Sequence, residues 1–327
     1  MTVRPHTVDE ALLPPGDYAS PGLAVIIPDR FFPWMQLGDK SSHPWAYLRR
    51  EVPHNWYVDR RHPLMGFVAR DEAILLYNIA RSFAGRPALE IGCWMGWSTY
   101  HLAAGGVMLD VIDPALARPE NRQSVEAALV AGGLRNAVRL HPVGSPDAVD
   151  RLAALRGDTW SLFFIDGDHE APGPASDAET CIKYAAADAM AVFPDLTSPM
   201  VAEGLAVFQR AGWKTLIYHT MQIVGVAWRG QVTPVAHRAD PGVAWTLPQH
   251  LEAFGVNGMD LESEVHRLGL VARRLEDEKA AMAREIGQVG DELKSLRDEL
   301  KRVALWRNSM LRLQWLRSAM RRPRAQP

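Results

Sequence analysis

The sequence predicts an α/β protein with a doubly wound, mostly parallel seven-stranded sheet, an antiparallel edge hairpin and a long coiled-coil helix after it. Between residues 70 and 250, short apolar runs alternate with segments of helical period, which is typical of parallel strands joined by covering helices. Beyond residue 259, apolar residues recur at alternating spacings of three and four, as in a coiled coil.

Seven apolar runs predict the strands of the sheet, at 88–92, 108–113, 137–143, 160–166, 189–195, 214–220 and 221–230. Six segments of helical period predict its helices, at 70–83, 98–106, 120–133, 145–157, 175–186 and 198–212. The last two strands leave no room for a helix between them. They should therefore pair antiparallel, as a hairpin at the edge of the sheet.

Four regions follow from these patterns. Residues 1–69 are rich in proline and aromatic side chains and predict an irregular cap, which either packs onto the main domain or lines a substrate cleft. Residues 70–250 form the predicted α/β domain, 259–305 the coiled coil and 306–327 a basic amphipathic tail.

The composition excludes several classes of protein. Of the 327 residues, 47% are hydrophobic, and 36 Lys and Arg stand against 38 Asp and Glu, which is ordinary for a globular protein. No apolar run reaches the roughly 18 residues of a membrane-spanning helix. The N-terminus lacks a signal segment, and only two cysteines, Cys93 and Cys181, are present. We therefore expect a cytoplasmic protein without a disulfide or zinc framework.

The sharpest local signal is ALEIGCWMGWST, residues 88–99, where a strand ends in a glycine-containing turn and a helix begins near Ser98. Gly92 and Gly96 would let the backbone approach a ligand closely at the carboxyl end of a strand. Trp94 stands where a dinucleotide fingerprint needs its second glycine, which argues against NAD or FAD. An ordinary tight turn is the alternative interpretation.

A carboxylate at the end of the next strand strengthens the ligand interpretation. Asp113 follows Glu90 by 23 residues, in VIDP, where it could accept both hydroxyls of a ribose. The alternative is that it caps the following helix. The glycine turn and this carboxylate together predict a nucleoside cofactor.

At this point the sequence resembles a known family. E-x-G-x-x-x-G followed by an acidic second strand end is similar to class I S-adenosylmethionine-dependent methyltransferases, and FFIDGDHE (163–170) resembles the O-methyltransferase group that includes macrocin-type sugar O-methyltransferases. The resemblance covers roughly residues 60–235. It implies an S-adenosylmethionine site with Ser145 near the adenine and the cofactor held by Glu90, Gly92, Gly96, Ser98 and Asp113.

Acidic side chains at two strand ends suit methyl transfer to oxygen, because the acceptor hydroxyl must be aligned and lose its proton. Asp166, Asp168 and His169 are the predicted catalytic residues, although His169 could instead only form local hydrogen bonds. Asp166 and Asp195 end neighbouring strands and predict a site for Mg²⁺ or Mn²⁺. By the family pattern this metal site is incomplete, because Leu196 stands where a second Asp or Asn is usual.

Several further residues have weaker signals. Trp94 and Trp97 flank the glycine turn and could cover the cofactor or pack in the core. His219 and Gln222 are minor candidates for the site and are more readily structural. Asp177, on the helix after the fourth strand, is expected to be solvated.

The coiled coil predicts a homo-oligomer. Its apolar positions run from Leu261 to Val303 with one interruption, Lys279, and the flanking glutamates would repel one another in an antiparallel pair. A parallel pair instead places Glu292 near Arg297 of the second chain, so we expect parallel strands.

The near-neutral charge conceals a basic tail. Residues 300–327 carry eight basic side chains and no acidic one, which leaves the rest of the chain with 28 basic and 38 acidic residues. Apolar and basic residues of 305–320 separate on a helical wheel, so the tail predicts peripheral contact with an anionic membrane at its inner face. A partner-helix surface or a disordered tail are the alternatives. The acidic body argues against nucleic acid.

The leading hypothesis is therefore an S-adenosylmethionine-dependent O-methyltransferase that methylates a hydroxyl of a sugar or surface glycan, assisted by a divalent cation. One alternative is a non-catalytic coiled-coil scaffold that retains the cofactor-binding fold, a hypothesis for which Leu196 is the best support. The other is an O-methyltransferase acting on a small molecule of secondary metabolism.

Overall fold

The computed structural model describes residues 20–37, 57–157, 159–239, 247–258 and 261–320. The chain divides into two compact units, Met1–Glu264 and Val265–Pro327. The first unit contains the described part of the predicted cap together with the predicted α/β domain. Among the described residues, no helix is both long and apolar enough to cross a membrane.

The described part of residues 1–69 contains a small antiparallel sheet, so this part of the cap is not irregular as predicted. Its three strands are β1 (Met35–Leu37), β2 (Tyr57–Asp59) and β3 (His62–Phe67). The aromatic side chains of this region pack on the main domain, where Phe32 and Tyr57 meet Trp97 edge-on. These residues of the cap therefore pack onto the main domain, and the interpretation that the cap lines a substrate cleft stays a prediction.

The main sheet contains all seven predicted strands and one more. They are β4 (Pro87–Ile91), β5 (Met108–Ile112), β6 (Val138–His141), β7 (Trp160–Ile165), β8 (Ala185–Phe193), β9 (Lys214–Tyr218), β10 (Val224–Arg229) and β11 (Gly255–Val256). The spatial order is β11-β9-β10-β8-β7-β4-β5-β6.

The predicted hairpin is present, but it is not the edge of the sheet. β10 pairs antiparallel with both β8 and β9, and the two-residue β11 pairs parallel with β9 outside them. The described sheet therefore has eight strands rather than seven. A strand of two residues is too short to show a period in the sequence.

Six helices cover the two faces of this sheet, as the alternating pattern predicts. They are α1 (Arg70–Ser82), α2 (Trp97–Ala104), α3 (Pro119–Ala131), α4 (Asp147–Arg156), α5 (Gly173–Lys183) and α6 (Pro199–Arg210). Apolar side chains of α1–α3 form one core cluster with the strands, and those of α4–α6 form another on the opposite face.

The second unit is dominated by one continuous helix, α7 (Leu261–Met320), of 60 residues. It spans most of the predicted coiled coil and the first part of the predicted tail without a break. Arg274 and Glu278 form an ion pair one turn apart along it. Residues 321–327 lie outside the described residues.

Candidate active site

The candidate site lies at the carboxyl ends of β4, β5, β7 and β8. Strand β4 lies between β5 and β7, and the chain runs outward from it in both directions, through β5 to β6 and through β7 to β8. The loops that follow neighbouring strands therefore diverge here, which opens the crevice in which α/β sheets bind ligands.

The glycine turn after β4 contains three left-handed residues, Gly92, Trp94 and Gly96. Gly92 has φ of 82°, and a Cβ there would lie 1.9 Å from the carbonyl oxygen of Asp166, so no other residue fits without moving β7. Gly96 has φ of 86° and precedes α2, and a Cβ there would lie 2.9 Å from Val125 Cγ1. Both glycines are needed for the turn to close against its neighbours, whether or not a ligand is bound.

Asp113, which directly follows β5, forms hydrogen bonds with the backbone of this turn. Its Oδ2 accepts hydrogen bonds from the backbone N–H groups of Cys93 (2.8 Å) and Trp94 (2.7 Å). Its Oδ1 accepts one from Ala115 N (2.7 Å) and so caps the short helix Pro114–Ala117. The capping interpretation of Asp113 is confirmed, and its contact with a ribose stays a prediction.

Glu90 and Ser98, on either side of the glycine turn, are joined by a hydrogen bond. Glu90 is fully buried, and its two carboxylate oxygens accept hydrogen bonds from Ser98 Oγ (2.6 Å) and Thr99 Oγ1 (2.7 Å) at the start of α2. Burial raises the pKa of Glu90 to about 8, although the two hydroxyls act in the opposite direction. These hydrogen bonds join β4 to the start of α2, the two elements that flank the glycine turn. A direct contact of Glu90 or Ser98 with the cofactor remains a prediction.

A cluster of Asp166, His169 and Asp195 (the acidic cluster) forms the centre of the site. His169 Nε2 lies 3.1 Å from Asp166 Oδ1 and 3.8 Å from Asp195 Oδ2, and all three side chains are half-buried. The hydrogen bond to Asp166 raises the pKa of His169 to about 9. Burial and the charge of Asp166 raise the pKa of Asp195 to about 7. Residues at neighbouring strand ends have converged as the sequence predicts.

Asp168 does not join this cluster. Its side chain is exposed, and its Oδ1 accepts a hydrogen bond from Glu170 N within the loop. Of the three predicted catalytic residues, the structure therefore brings together Asp166 and His169, with Asp195 as the third member of the cluster.

The donor set of the acidic cluster fits a divalent cation. One ligand atom from each of its three residues lies within 4.8 Å of the others. Leu196 adds nothing to this set, because its side chain is buried in the core, where it fills the space that a Cβ on Gly225 would need. The site thus offers two carboxylates and one imidazole, a mixed set that suits Mn²⁺ at least as well as Mg²⁺.

Ser145 belongs to a second polar group, beside Gly167. It donates a hydrogen bond to Asp177 on α5, and burial raises the pKa of Asp177 to about 6. The prediction that Asp177 is solvated is wrong, since this side chain is only 2% exposed. Asp177 lies on the inward face of its helix, together with the buried Ala178 and Cys181.

Two acidic residues of α1 also reach this region, and sequence reasoning missed both. Glu72 accepts hydrogen bonds from Thr220 Oγ1 (3.0 Å) and Gln222 N (2.6 Å), and Asp71 accepts one from Met221 N (3.1 Å). Burial, with the charges of Asp71 and Asp195, raises the pKa of Glu72 to about 8. In the sequence both residues look like ordinary first-turn acids that complement a helix dipole.

The flanking aromatic residues have different roles. Trp97 is buried and donates its indole N–H to the carbonyl of Val68 (3.1 Å), so it is a core residue. Trp94 is half-buried, meets the exposed ring of His62 edge-on, and its Nε1 has no hydrogen-bond partner among the described residues. Of the minor candidates, His219 is half-buried and Gln222 contributes its backbone to the contact with Glu72.

Comparisons with known proteins agree with this geometry. A family model described as a methyltransferase domain matches residues 89–196, which span the glycine turn and the acidic cluster. No curated protein matches the chain.

Solved methyltransferases resemble part of the fold. They include the O-methyltransferase TomG from Streptomyces achromogenes, involved in tomaymycin synthesis and solved with S-adenosylmethionine (21% identity, 50% of this chain and 82% of that chain, TM-score 0.41). A methyltransferase from Geobacter sulfurreducens is similar at 21% identity over 50% of this chain and 80% of its own, with a TM-score of 0.42. Likeness at this level specifies neither substrate nor reaction. The family match shows that residues 89–196 are a methyltransferase domain.

Proposed function

We propose that this chain is an S-adenosylmethionine-dependent O-methyltransferase of the macrocin-type group, acting on a hydroxyl of a sugar or surface glycan. The observation that carries the proposal is the acidic cluster at the ends of β7 and β8, next to the glycine turn after β4. A methyl donor bound at the turn would place its transferable group within reach of an acceptor aligned by the cluster.

The cofactor site of this proposal comprises the turn and its supports. Gly92 and Gly96 shape the turn, Asp113 holds its backbone, and Ser145 lies across the crevice beside Gly167. S-adenosylmethionine, when bound, supplies an electrophilic methyl group on sulfur. The residues of this chain must then exclude water, orient the acceptor hydroxyl and take its proton.

Within the acidic cluster, Asp195 is the best placed group to accept that proton. A base works best when its pKa lies near the working pH, and the pKa of Asp195 is about 7. His169, with a pKa of about 9, is protonated at neutral pH and is a hydrogen-bond donor rather than a base. We therefore assign His169, one of the predicted catalytic residues, to orienting the two carboxylates.

We further propose that the cluster can hold Mn²⁺ or Mg²⁺ through Asp166, His169 and Asp195. Binding of the ion would displace the proton of His169 and keep Asp195 ionised, so the proton-transfer roles assigned above belong to the cluster without the ion. Such an ion, when bound, would lower the pKa of an acceptor hydroxyl. Calorimetry with MnCl₂ should show binding to the wild type and much weaker binding to Asp195→Asn. Full methyl transfer in excess chelator would exclude a role for the ion.

The cofactor assignment is tested by calorimetry with S-adenosylmethionine. We expect micromolar binding to the wild type and at least tenfold weaker binding to Asp113→Asn, because the turn loses a charged acceptor for two of its N–H groups. Asp147→Asn, at an exposed position at the start of α4, is the control. Absence of binding to the wild type would contradict the proposal.

The acceptor assignment is tested by mass spectrometry of surface glycan from a deletion strain. Loss of the mass of one CH₂ group per acceptor site, restored by the wild type and not by Asp195→Asn, would support a glycan acceptor. An unchanged glycan with a missing methyl group in a small metabolite would favour the small-molecule alternative. The two free, buried cysteines suit the cytoplasmic location that we propose.

A further inference from the structure

Helix α7 presents a long apolar stripe (the seam) that nothing in the described second unit covers. Its members are each between 50% and 72% exposed. They are Leu275, Met282, Ile286, Val289, Leu293, Leu296, Leu300 and Val303. A surface helix of a soluble protein normally buries such residues, so the seam marks an interaction surface.

The helix itself also requires a packing partner. Gly287 and Gly290 lie in its interior with open space where their Cβ atoms would be. Each glycine weakens an isolated helix by about 1 kcal/mol relative to alanine. Since most helical stability in proteins comes from packing of an apolar face, this segment is best explained as one half of a coil.

The narrow width of the seam indicates that its partner is another helix. The large apolar side chains of the seam recur at alternating spacings of three and four residues, which is the narrow seam of a coiled coil rather than the broader stripe of a helix lying on a globular core.

The charges beside the seam select a second copy of this chain in parallel orientation. One flank carries Glu278, Glu285 and Glu292, and the other flank carries Ala283, Gly290 and Arg297 at the positions that a parallel partner sets opposite them. A parallel pair thus opposes the glutamates with two small residues and one arginine, whereas an antiparallel pair would set glutamates against glutamates.

The single interruption of the seam limits the number of strands. Lys279 occupies a core position, where two copies of a parallel coil would meet at the same level. A lone polar residue at such a position fixes register and oligomeric state at some loss of stability. Its charge can reach Glu278 of the second copy, which borders the same core layer.

We propose that residues 275–303 of two copies form a parallel, in-register, two-stranded coiled coil, which makes the full-length protein a dimer. This inference does not depend on the proposed methyl transfer.

Cysteine cross-linking in the full-length chain tests the proposal. Leu296→Cys should form an intermolecular disulfide rapidly under mild oxidation, because parallel in-register strands place the two residues side by side. Ser295→Cys, one position along and facing away from the seam, is the matched control and should cross-link far more slowly. Cys93 and Cys181 are buried and do not compete. A dimer in which Leu296→Cys fails to cross-link would overturn the parallel arrangement.

Light scattering on the full-length chain provides the second measurement. The wild type should show twice the chain mass, and Leu293→Glu combined with Leu296→Glu should show the mass of one chain, with Ser295→Glu remaining dimeric. A wild type with the mass of one chain, or a double variant that stays dimeric, would overturn the proposal. A mass of three or more chains would overturn the two-stranded assignment.

Discussion

Glu90 shows how a buried carboxylate can shape a ligand site without lining it. Its two carboxylate oxygens accept hydrogen bonds from the hydroxyls of Ser98 and Thr99. Either hydroxyl can rotate to accept a hydrogen bond, so a protonated Glu90 fits the same place. The neutral form is therefore compatible with the buried geometry around the glycine turn.

This property predicts a pH-dependent stability. The pKa of Glu90 is about 8 in the folded protein against 4.5 for the ordinary group, so the folded state binds more protons between these values. Its contribution to stability is present below pH 4.5 and is lost as the pH rises toward 8. Between pH 5 and 8, the free energy of unfolding of Glu90→Gln should therefore fall by a few kcal/mol less than that of the wild type.

Urea unfolding at several pH values checks this prediction. Glu179→Gln, at an exposed position on α5, is the control and should follow the pH dependence of the wild type. A Glu90→Gln variant whose stability falls as steeply as that of the wild type would show that Glu90 is charged in the folded protein.

At the scale of elements, the period of the sequence predicted the helices and the longer strands of the main sheet. It predicted neither β11 nor the small sheet, in which even the six-residue β3 has no regular alternation of apolar and polar residues. Strands β4–β10 are apolar runs of four to nine residues, and the sequence located each of them. Strands β1 and β11 have three and two residues, too few for a period to appear. They exist because a neighbouring strand supplies their hydrogen-bond partners.

The contrast between local patterns and long-range contacts also explains which site residues could be predicted from the sequence. Asp166 and Asp195 could be placed together because parallel neighbouring strands bring their carboxyl ends to one edge. The contacts of Asp71 and Glu72 join residues about 150 positions apart, a pairing that no local pattern encodes. Asp177 is polar but lies on the inward face of α5, where Ser145 supplies its hydrogen-bond partner, and polarity alone does not predict such a position.

The hydrogen bonds between α1 and the β9–β10 turn give a prediction at the scale of elements. Thr220 Oγ1 donates to Glu72 and accepts from Val224 N (3.0 Å), while the backbone carbonyl of Ile223 accepts from Leu196 N, next to Asp195. Thr220→Val keeps the shape but leaves buried groups unpaired, so it should destabilise the protein by about 1–3 kcal/mol. Urea unfolding is the measurement.

Thr215→Val is the control for this variant. Thr215 lies half-buried on β9, where its hydroxyl accepts a hydrogen bond from the exposed Gln209 side chain, and valine suits a strand. If both variants are as stable as the wild type, the hydrogen bonds of Thr220 do not hold the turn.

At the scale of the whole molecule, the basic tail and the acidic cluster belong to different units of the chain. The eight basic residues of 300–327 belong to the second unit, whereas the acidic cluster and the methyltransferase domain belong to the first. In the described part of the tail, the side chains of Trp306, Met310 and Leu313 are exposed on α7 alongside Arg307 and Arg312. Exposed apolar and basic side chains on one helix are what peripheral binding to anionic lipid requires.

We therefore predict that the full-length protein sediments with vesicles of anionic lipid and not with neutral vesicles. Each Lys or Arg near an anionic surface contributes roughly 1 kcal/mol, and a parallel dimer would present two tails on the same side. Raising the salt concentration should release the protein, because surface charge is screened. A chain ending at residue 305, and a full-length variant with Arg307, Arg312 and Arg317 changed to Gln, should both bind weakly. Equal sedimentation with neutral vesicles, or anionic binding that survives both changes, would show that the tail serves a protein partner instead.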